Sequence, residues 1–258
     1  RTPSALRNYY SIVAPDGRLA LLLRFLLHRT DQKCIVFFAT CASVDFFGKV
    51  VRALMRGSTN KLKKRTGRKR GRQEHVYMLH GKMPQKKRES VYADFLAAGD
   101  GKSSGDGAVL MCTDVAARGI DIPDVNWIVQ YDPPTDPDFY VHRVGRTARA
   151  GRSGNALILL QESEKGYLDL LRMKRVPIQE VLPDELMRAR TVQIDASASI
   201  VDADDGAATP PSLADASAAT LSQVRELIFS DRDYLEKGTR AFVASMRAYK
   251  EHKCEFVF

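Results

Sequence analysis

Between residues 8 and 181, short runs rich in Val, Ile and aromatic side chains alternate with stretches of helical period. No other feature restricts the chain as strongly. Strands joined through intervening helices pair in parallel, so the expected class is α/β, a parallel sheet with helices on both faces. The runs fall at 9–13, 34–39, 75–79, 108–112, 127–131 and 156–160. Leu19, Leu22, Leu23 and Leu26 repeat at i, i+3, i+4 and i+7, so a helix there should lie on the sheet, with Asp16 as its N-cap. Asp136 before Pro137 is a second start signal.

With 44% hydrophobic and 28% charged side chains in 258 residues, the chain can bury a core and carry a modest appendage, which excludes disorder throughout. The longest apolar run, 19–27, is interrupted by Arg24, so no membrane span and no membrane partner are expected. There is no signal peptide, and a start at Arg1 in strand-like sequence reads as a piece of a longer protein.

The fold should end near residue 190, because composition changes sharply beyond it. Five Asp, many Ala and Ser, Pro210 and Pro211, and no Lys or Arg occupy 195–222. A disordered linker is therefore expected over 191–222. In the remaining segment, 223–258, Leu235, Phe242, Met246 and Tyr249 share one face of a helical period and charged residues the other, predicting an amphipathic extension that docks by its apolar face.

The net charge of +9 is concentrated: eight cations and no acid lie within 61–72. This basic insert, 57–73, reads as a solvated loop that is either a nuclear or nucleolar address or an RNA contact. Cys34, Cys41, Cys112 and Cys254 include no C-x-x-C pair and no His at zinc spacing, so reduced thiols in an intracellular protein are expected, and no metal ligands.

Three strings carry the chemistry. In Tyr140-Val141-His142-Arg143-Val144-Gly145-Arg146-Thr147-Ala148-Arg149, a helix would set His142, Arg146 and Arg149 on one face at i, i+4 and i+7. Converging guanidinium groups repel unless an anion lies between them, and their planar donors suit phosphate oxygens. Any two of these residues could belong to a solvated basic face; the whole string exceeds what such a face needs. In Val109 to Pro123 an apolar strand runs into Thr113 and Asp114, then Ala116, Ala117, Arg118, Gly119 and Asp121. Ligands of open parallel sheets bind at this carboxyl end, where Thr113 can donate to phosphate and Asp121 can accept from ribose. The third string, His80-Gly81-Lys82-Met83-Pro84-Gln85-Lys86-Lys87-Arg88, opens a helix with three cations against its dipole, as a bound phosphate would favour. Gly101-Lys102-Ser103 is a decoy, since Leu96 stands where a phosphate-binding loop requires Gly.

In this order the strings resemble the second RecA-like domain of DEAD-box RNA helicases over about 1–185, within an expected domain of 1–190, with 35–40 similar to their motif IV, 85–88 to their Q-x-x-R element, 113–121 to motif V and 142–149 to motif VI. The resemblance implies a RecA-like fold and, in the full-length protein, an ATP-dependent RNA helicase. It places Arg146 and Arg149 on the ATP γ-phosphate as arginine fingers, with His142 ordering the attacking water and Gly119 and Asp121 at the ribose. It puts Thr40, His80, Gly81, Gln85, Arg88, Thr113 and Arg118 on RNA, and gives Arg143 and Asp114 a coupling role. Walker A, the Asp-Glu-Ala-Asp box and the Ser-Ala-Thr motif are absent, so the expected Mg²⁺ would be held by a first RecA-like domain and this chain alone should be inactive.

Ala148 stands where many members have Gly, and the basic insert has no counterpart in compact ones. The segment 236–252 resembles the extension of DEAD-box helicases that assemble the large ribosomal subunit. That similarity implies pre-rRNA and the pre-ribosomal particle as partners, a nuclear and nucleolar location, and a monomer. The alternative from another class is a non-catalytic RNA-binding scaffold that kept the helicase fold.

Overall fold

The structure is a computed structural model and describes residues 6–66, 75–98, 107–114, 125–145, 147, 154–188 and 211–252. Seven strands form one sheet: β1 (Leu6–Ile12), β2 (Lys33–Phe37), β3 (Val76–Leu79), β4 (Ala108–Cys112), β5 (Trp127–Gln130), β6 (Gly154–Leu160) and β7 (Gln179–Glu180). Their order is β3-β4-β2-β5-β6-β1-β7 and every pairing is parallel, so all carboxyl ends lie along one edge. The six expected strands are present, one with the expected ends and the others with ends shifted by at most three residues. The seventh is two residues long and carries no apolar signal.

The helices are α1 (Arg18–His28), α2 (Cys41–Thr66), α3 (Gln85–Ala97), α4 (Asp138–Val144), α5 (Gly166–Met173), α6 (Pro183–Arg188), α7 (Leu213–Ser230) and α8 (Arg232–Lys250). Because side chains alternate along a strand, the sheet feeds two cores. Val36, Val109, Met111, Val129 and Leu157 point to the side of α1 and α2. Ile35, Phe37, Leu110, Ile128 and Ile158 point to the other, with Phe95, Tyr140 and Tyr167 from α3, α4 and α5. Burial on both faces is what near-continuous apolar strands require. Among the described residues no helix is long and apolar enough to cross a membrane.

Four expectations are corrected. Residues 213–222, assigned to a disordered linker, are the first half of α7: Ser212 caps it by accepting from the Asp215 amide. Its alanines favour helix, and Leu213, Ala216 and Val224 bury against the α1 side of the core. The rest of the linker stretch, 191–210, lies outside the described residues. In the basic insert, 57–66 continue α2 as helix rather than loop; residues 67–73 lie outside the described residues. Asp16 does not cap α1; the helix starts from a turn in which the Gly17 amide donates to the Ala14 carbonyl.

The fourth correction concerns the extension. It docks on the α/β domain, α7 against α1 and α8 against α2, but α8 buries a different face from the one expected. Tyr234 and Ala241 are buried, the Gly238 backbone lies against the Phe46 ring, and Ser245 bonds Ser43. Leu235 and Phe242 face outward, with Phe242 67% exposed, while Met246 and Tyr249 stay exposed at the rim of a cavity beside Ala39 and Asp132. Small residues win because they let two helix backbones approach closely. Lys49 of α2 fastens the start of α8, 2.7 Å from both Asp231 and Asp233, with its ammonium 3.8 Å from the Tyr234 ring centroid.

Candidate functional site

Four neighbouring strands, β3, β4, β2 and β5, deliver polar residues to the carboxyl edge. Thr40 follows β2, His80 follows β3, Thr113 and Asp114 follow β4, and Asp132 follows β5. The residues taken from separate strings therefore converge on one edge because the crossovers interleave β2 between β4 and β5. This is the position where open α/β sheets bind ligands.

At its centre lies Arg143, on α4 and 2% exposed. Its Nε donates to Asp114 Oδ1 at 2.6 Å and its Nη2 to Asp114 Oδ2 at 2.7 Å, a two-pronged pair. Nη1 donates to Gln130 Oε1 at 3.2 Å and to the Asp132 carbonyl at 2.9 Å. The guanidinium also covers the Phe37 ring, 4.9 Å from its centroid. One side chain thus joins the ends of β2, β4 and β5 to α4. A buried guanidinium is tolerable only when its donors are met this completely.

The approach to α4 is set by Asp136, whose Oδ1 accepts from the Asp138 amide at 2.9 Å, although the N-cap is Pro137 and not Asp136 as the Asp-Pro signal led one to expect. The helix ends at Val144, however, and Gly145 stands at its C-cap rather than inside it. After it Thr147 donates to the Val125 carbonyl and returns the chain to the sheet. Of the i, i+4, i+7 face expected for His142, Arg146 and Arg149, only His142 falls among the described residues. His142 is exposed near the end of α4, with Phe139 at 6.1 Å between ring centroids. Arg146, Arg149, Arg118, Gly119 and Asp121 lie outside the described residues.

On the β3 side, Thr40 is the N-cap of α2: its Oγ1 accepts from the Ser43 amide at 3.0 Å and lies 2.7 Å from Ser43 Oγ. His80 is buried, with Nε2 3.0 Å from Asp45 Oδ1 and no partner for Nδ1 among the described residues. Gly81 and Gln85 are exposed; Gln85 bridges Arg88, at 3.2 Å, and Glu89, at 2.8 Å. Thr113 Oγ1 is buried without a hydrogen-bond partner among the described residues. An orphan hydroxyl beside a carboxylate–guanidinium pair is a group that a ligand oxygen can satisfy.

Sequence reasoning missed Asp45, Gln130, Asp132 and Arg18. Arg18 Nη2 donates to the carbonyls of Tyr131 and, at 3.1 Å, Leu159, while Asp132 Oδ2 accepts from the Ala39 amide at 2.9 Å. These partners are far apart in the chain, and no local pattern announces them. Among the described residues there is no group of three or more His, Cys, Asp or Glu side chains that could hold a metal ion.

Residues 17–151 match the family described as helicase conserved C-terminal domain. The probable ATP-dependent RNA helicase ddx55 of Dictyostelium discoideum is 36% identical over 257 residues, covering 99% of this chain and 31% of that protein. The ATP-dependent rRNA helicase SPB4 of Mycosarcoma maydis is 36% identical over 269 residues, covering 100% of this chain and 31% of that protein. The chain spans about a third of the length of these relatives. In the crystal structure of Escherichia coli DEAD-box protein SrmB bound to regulator of ribonuclease activity A, the matched chain is 32% identical with a TM-score of 0.51, covering 72% of this chain and 94% of that one. A family match across the strands that build the carboxyl edge and a solved DEAD-box relative of the same architecture lead to one assignment: the chain belongs to the helicase conserved C-terminal domain family, as a RecA-like domain of the DEAD-box kind.

Proposed function

We propose that the full-length protein is an ATP-dependent RNA helicase that opens short RNA duplexes on pre-ribosomal particles in the nucleolus, and that this chain supplies half of its ATP site and half of its RNA site. The Arg143–Asp114 pair is the observation that carries the reading. It locks α4, which leads to Arg146 and Arg149, to the strand end that carries Thr113. A binding scaffold would have no need to tie those two segments so tightly. The relatives named as RNA and rRNA helicases support the substrate class.

In this reading Thr40, His80, Gly81, Gln85, Arg88, Thr113 and Arg118 line the RNA side and contact the backbone. The capped N-terminus of α2 and the N-terminus of α3 add amide donors directed toward phosphate. On the nucleotide side Arg146 and Arg149 reach the terminal phosphate, Asp121 and Gly119 receive the ribose, and exposed His142 takes part in positioning water. ATP supplies the phosphoanhydride bond whose cleavage drives the cycle. The Mg²⁺ that accompanies ATP is assigned to a first RecA-like domain of the same protein.

The test is RNA-stimulated ATP hydrolysis and unwinding of a short duplex by the full-length protein. Arg146→Ala or Arg149→Ala should each lower turnover by on the order of 10³-fold or more, with Lys a poor substitute because a point charge does not reproduce the planar fork. The 258-residue chain alone should release no phosphate above background. Near-normal turnover in either variant would remove that arginine from the active site, and the absence of RNA-stimulated hydrolysis in the wild-type protein would return it to the scaffold class.

A further inference from the structure

The last turns of α8 touch both halves of the carboxyl edge. At one end, Ser245 Oγ lies 3.1 Å from Ser43 Oγ, which lies 2.7 Å from Thr40 Oγ1. Three hydroxyls in a row thus connect the extension to the residue assigned above to RNA. Beyond the end of α8, His252 is buried, 7% exposed, with its ring edge-on to Tyr167 at 6.4 Å between centroids. The imidazole also hydrogen-bonds the backbone of Pro134. Since proline has no N–H, the ring nitrogen is the donor and the Pro134 carbonyl the acceptor.

Pro134 belongs to the short segment between β5 and α4. Two residues earlier the Asp132 carbonyl accepts from Arg143 Nη1 at 2.9 Å, and the Asp132 side chain accepts from Ala39, next to Thr40. Between the Ser245 and His252 contacts lies a cavity of about 410 Å³, lined among others by Arg18, Ala39, Asp132, Met246 and Tyr249. The extension therefore meets the edge at two separate props on either side of open space.

We propose that Ser245 and His252 are positioning residues of the helicase cycle: α8 is a strut that holds the RNA-side Thr40 and the Arg143 segment in fixed relation, so that RNA binding is transmitted to hydrolysis. This rests on the function proposed above. Neither residue touches RNA or nucleotide. Each acts through a neighbour, Ser245 through Ser43 and His252 through Pro134.

The experiment compares wild type, Ser245→Ala, His252→Ala and His252→Gln in the full-length protein, measuring kcat and ATP KM at saturating RNA, and Kd for single-stranded RNA directly. Both alanine variants should lower RNA-stimulated kcat by about 3- to 10-fold with ATP KM and RNA Kd within about twofold of wild type, and His252→Gln, whose amide can still donate to Pro134, should recover most of the loss. Amide hydrogen exchange of residues 138–144 in the 258-residue chain, which requires no activity, should be about tenfold faster in His252→Ala than in wild type and near wild type in His252→Gln. If wild type shows no RNA-stimulated hydrolysis, the proposed function fails, and the exchange data still decide whether His252 steadies α4. Unchanged exchange and kcat in His252→Ala overturn the strut. So does a loss of kcat in His252→Gln as large as in the alanine variant, accompanied by the same fall in melting temperature, since that pattern marks a merely structural residue.

Discussion

Replacing Tyr234 with Ala should loosen the extension far more than placing a charge at Phe242, although Phe242 is the larger apolar residue of the conventional amphipathic face. Tyr234 is 8% exposed, and its ring lies under the Lys49 ammonium at 3.8 Å. Truncating a buried aromatic side chain costs about 3 to 5 kcal/mol in a core, and a cation–π contact about 0.5 to 1 kcal/mol where exposed. At a helix on the rim of a domain, the lower end of the first range applies, about 3 kcal/mol. For a chain of this size each kcal/mol moves Tm by about 2 to 4 °C, so the expected fall is about 6 to 12 °C. Phe242→Asp changes a side chain that is 67% exposed and should stay within about 0.5 kcal/mol, under about 2 °C. Thermal melts followed by circular dichroism at neutral pH decide the matter. A fall in Phe242→Asp as large as in Tyr234→Ala would mean that α8 docks by its large apolar face and that the burial described here is wrong.

Acid should loosen the extension in two stages. Burial holds His252 down to about 4 from 6.5, so the unfolded chain takes up a proton first and stability is lost as pH falls from 6.5 toward 4; His252→Gln should flatten that limb of a Tm–pH curve. Asp233 is held down to about 2 by Lys237 and Lys49, and Asp231 is lowered by Lys49, so their contribution is present above pH 3.8 and disappears as pH drops through 3.8 toward 2; Lys49→Met should weaken that lower limb. Arg143→Ala leaves Asp114 without its partner and should cost about 3 to 5 kcal/mol in urea denaturation, whereas Asp138→Ala, which breaks an exposed pair with Lys174, should cost under about 1 kcal/mol. Gly107→Ala should destabilise by about 1 to 3 kcal/mol in the same assay, because an added Cβ would fall on the backbone of Gln32.

The sheet was readable because β2, β4, β5 and β6 are buried on both faces and so are largely apolar, a signal that survives in a single sequence. Gln179 and Glu180 pair only with β1 at the sheet margin, where nothing demands apolar side chains, and β7 left no trace. The α8 error has a related cause. Ranking side chains by size and hydrophobicity selected Leu235, Phe242, Met246 and Tyr249, whereas close helix approach selects small residues. The pattern Gly238, Ala241, Ser245 was present in the sequence, at spacings of three and four. At the site, the strings located the carboxyl edge, but helical periodicity was carried past Gly145, which ends α4. Arg143 was singled out through family likeness; that it reaches Gln130 and Asp132 as well as Asp114 depends on strand order, which spacing along the chain does not encode.

Wrapping α7 and α8 over α1 and α2 also has a consequence for synthesis. Phe46, Ala53 and Leu27 pack into a core that Val224 and Tyr234 help complete, so this flank of the nascent domain stays uncovered until the chain has been made as far as His252, about 72 residues after the last strand residue at Glu180. At about 5 to 20 residues per second that interval is about 4 to 14 s, ample time for an apolar surface to meet the wrong neighbour. A ribosome stalled between those two points would present a finished sheet with an unfinished side, and holdase chaperones should crosslink to α1 and α2 in that window and release once the final turns have emerged.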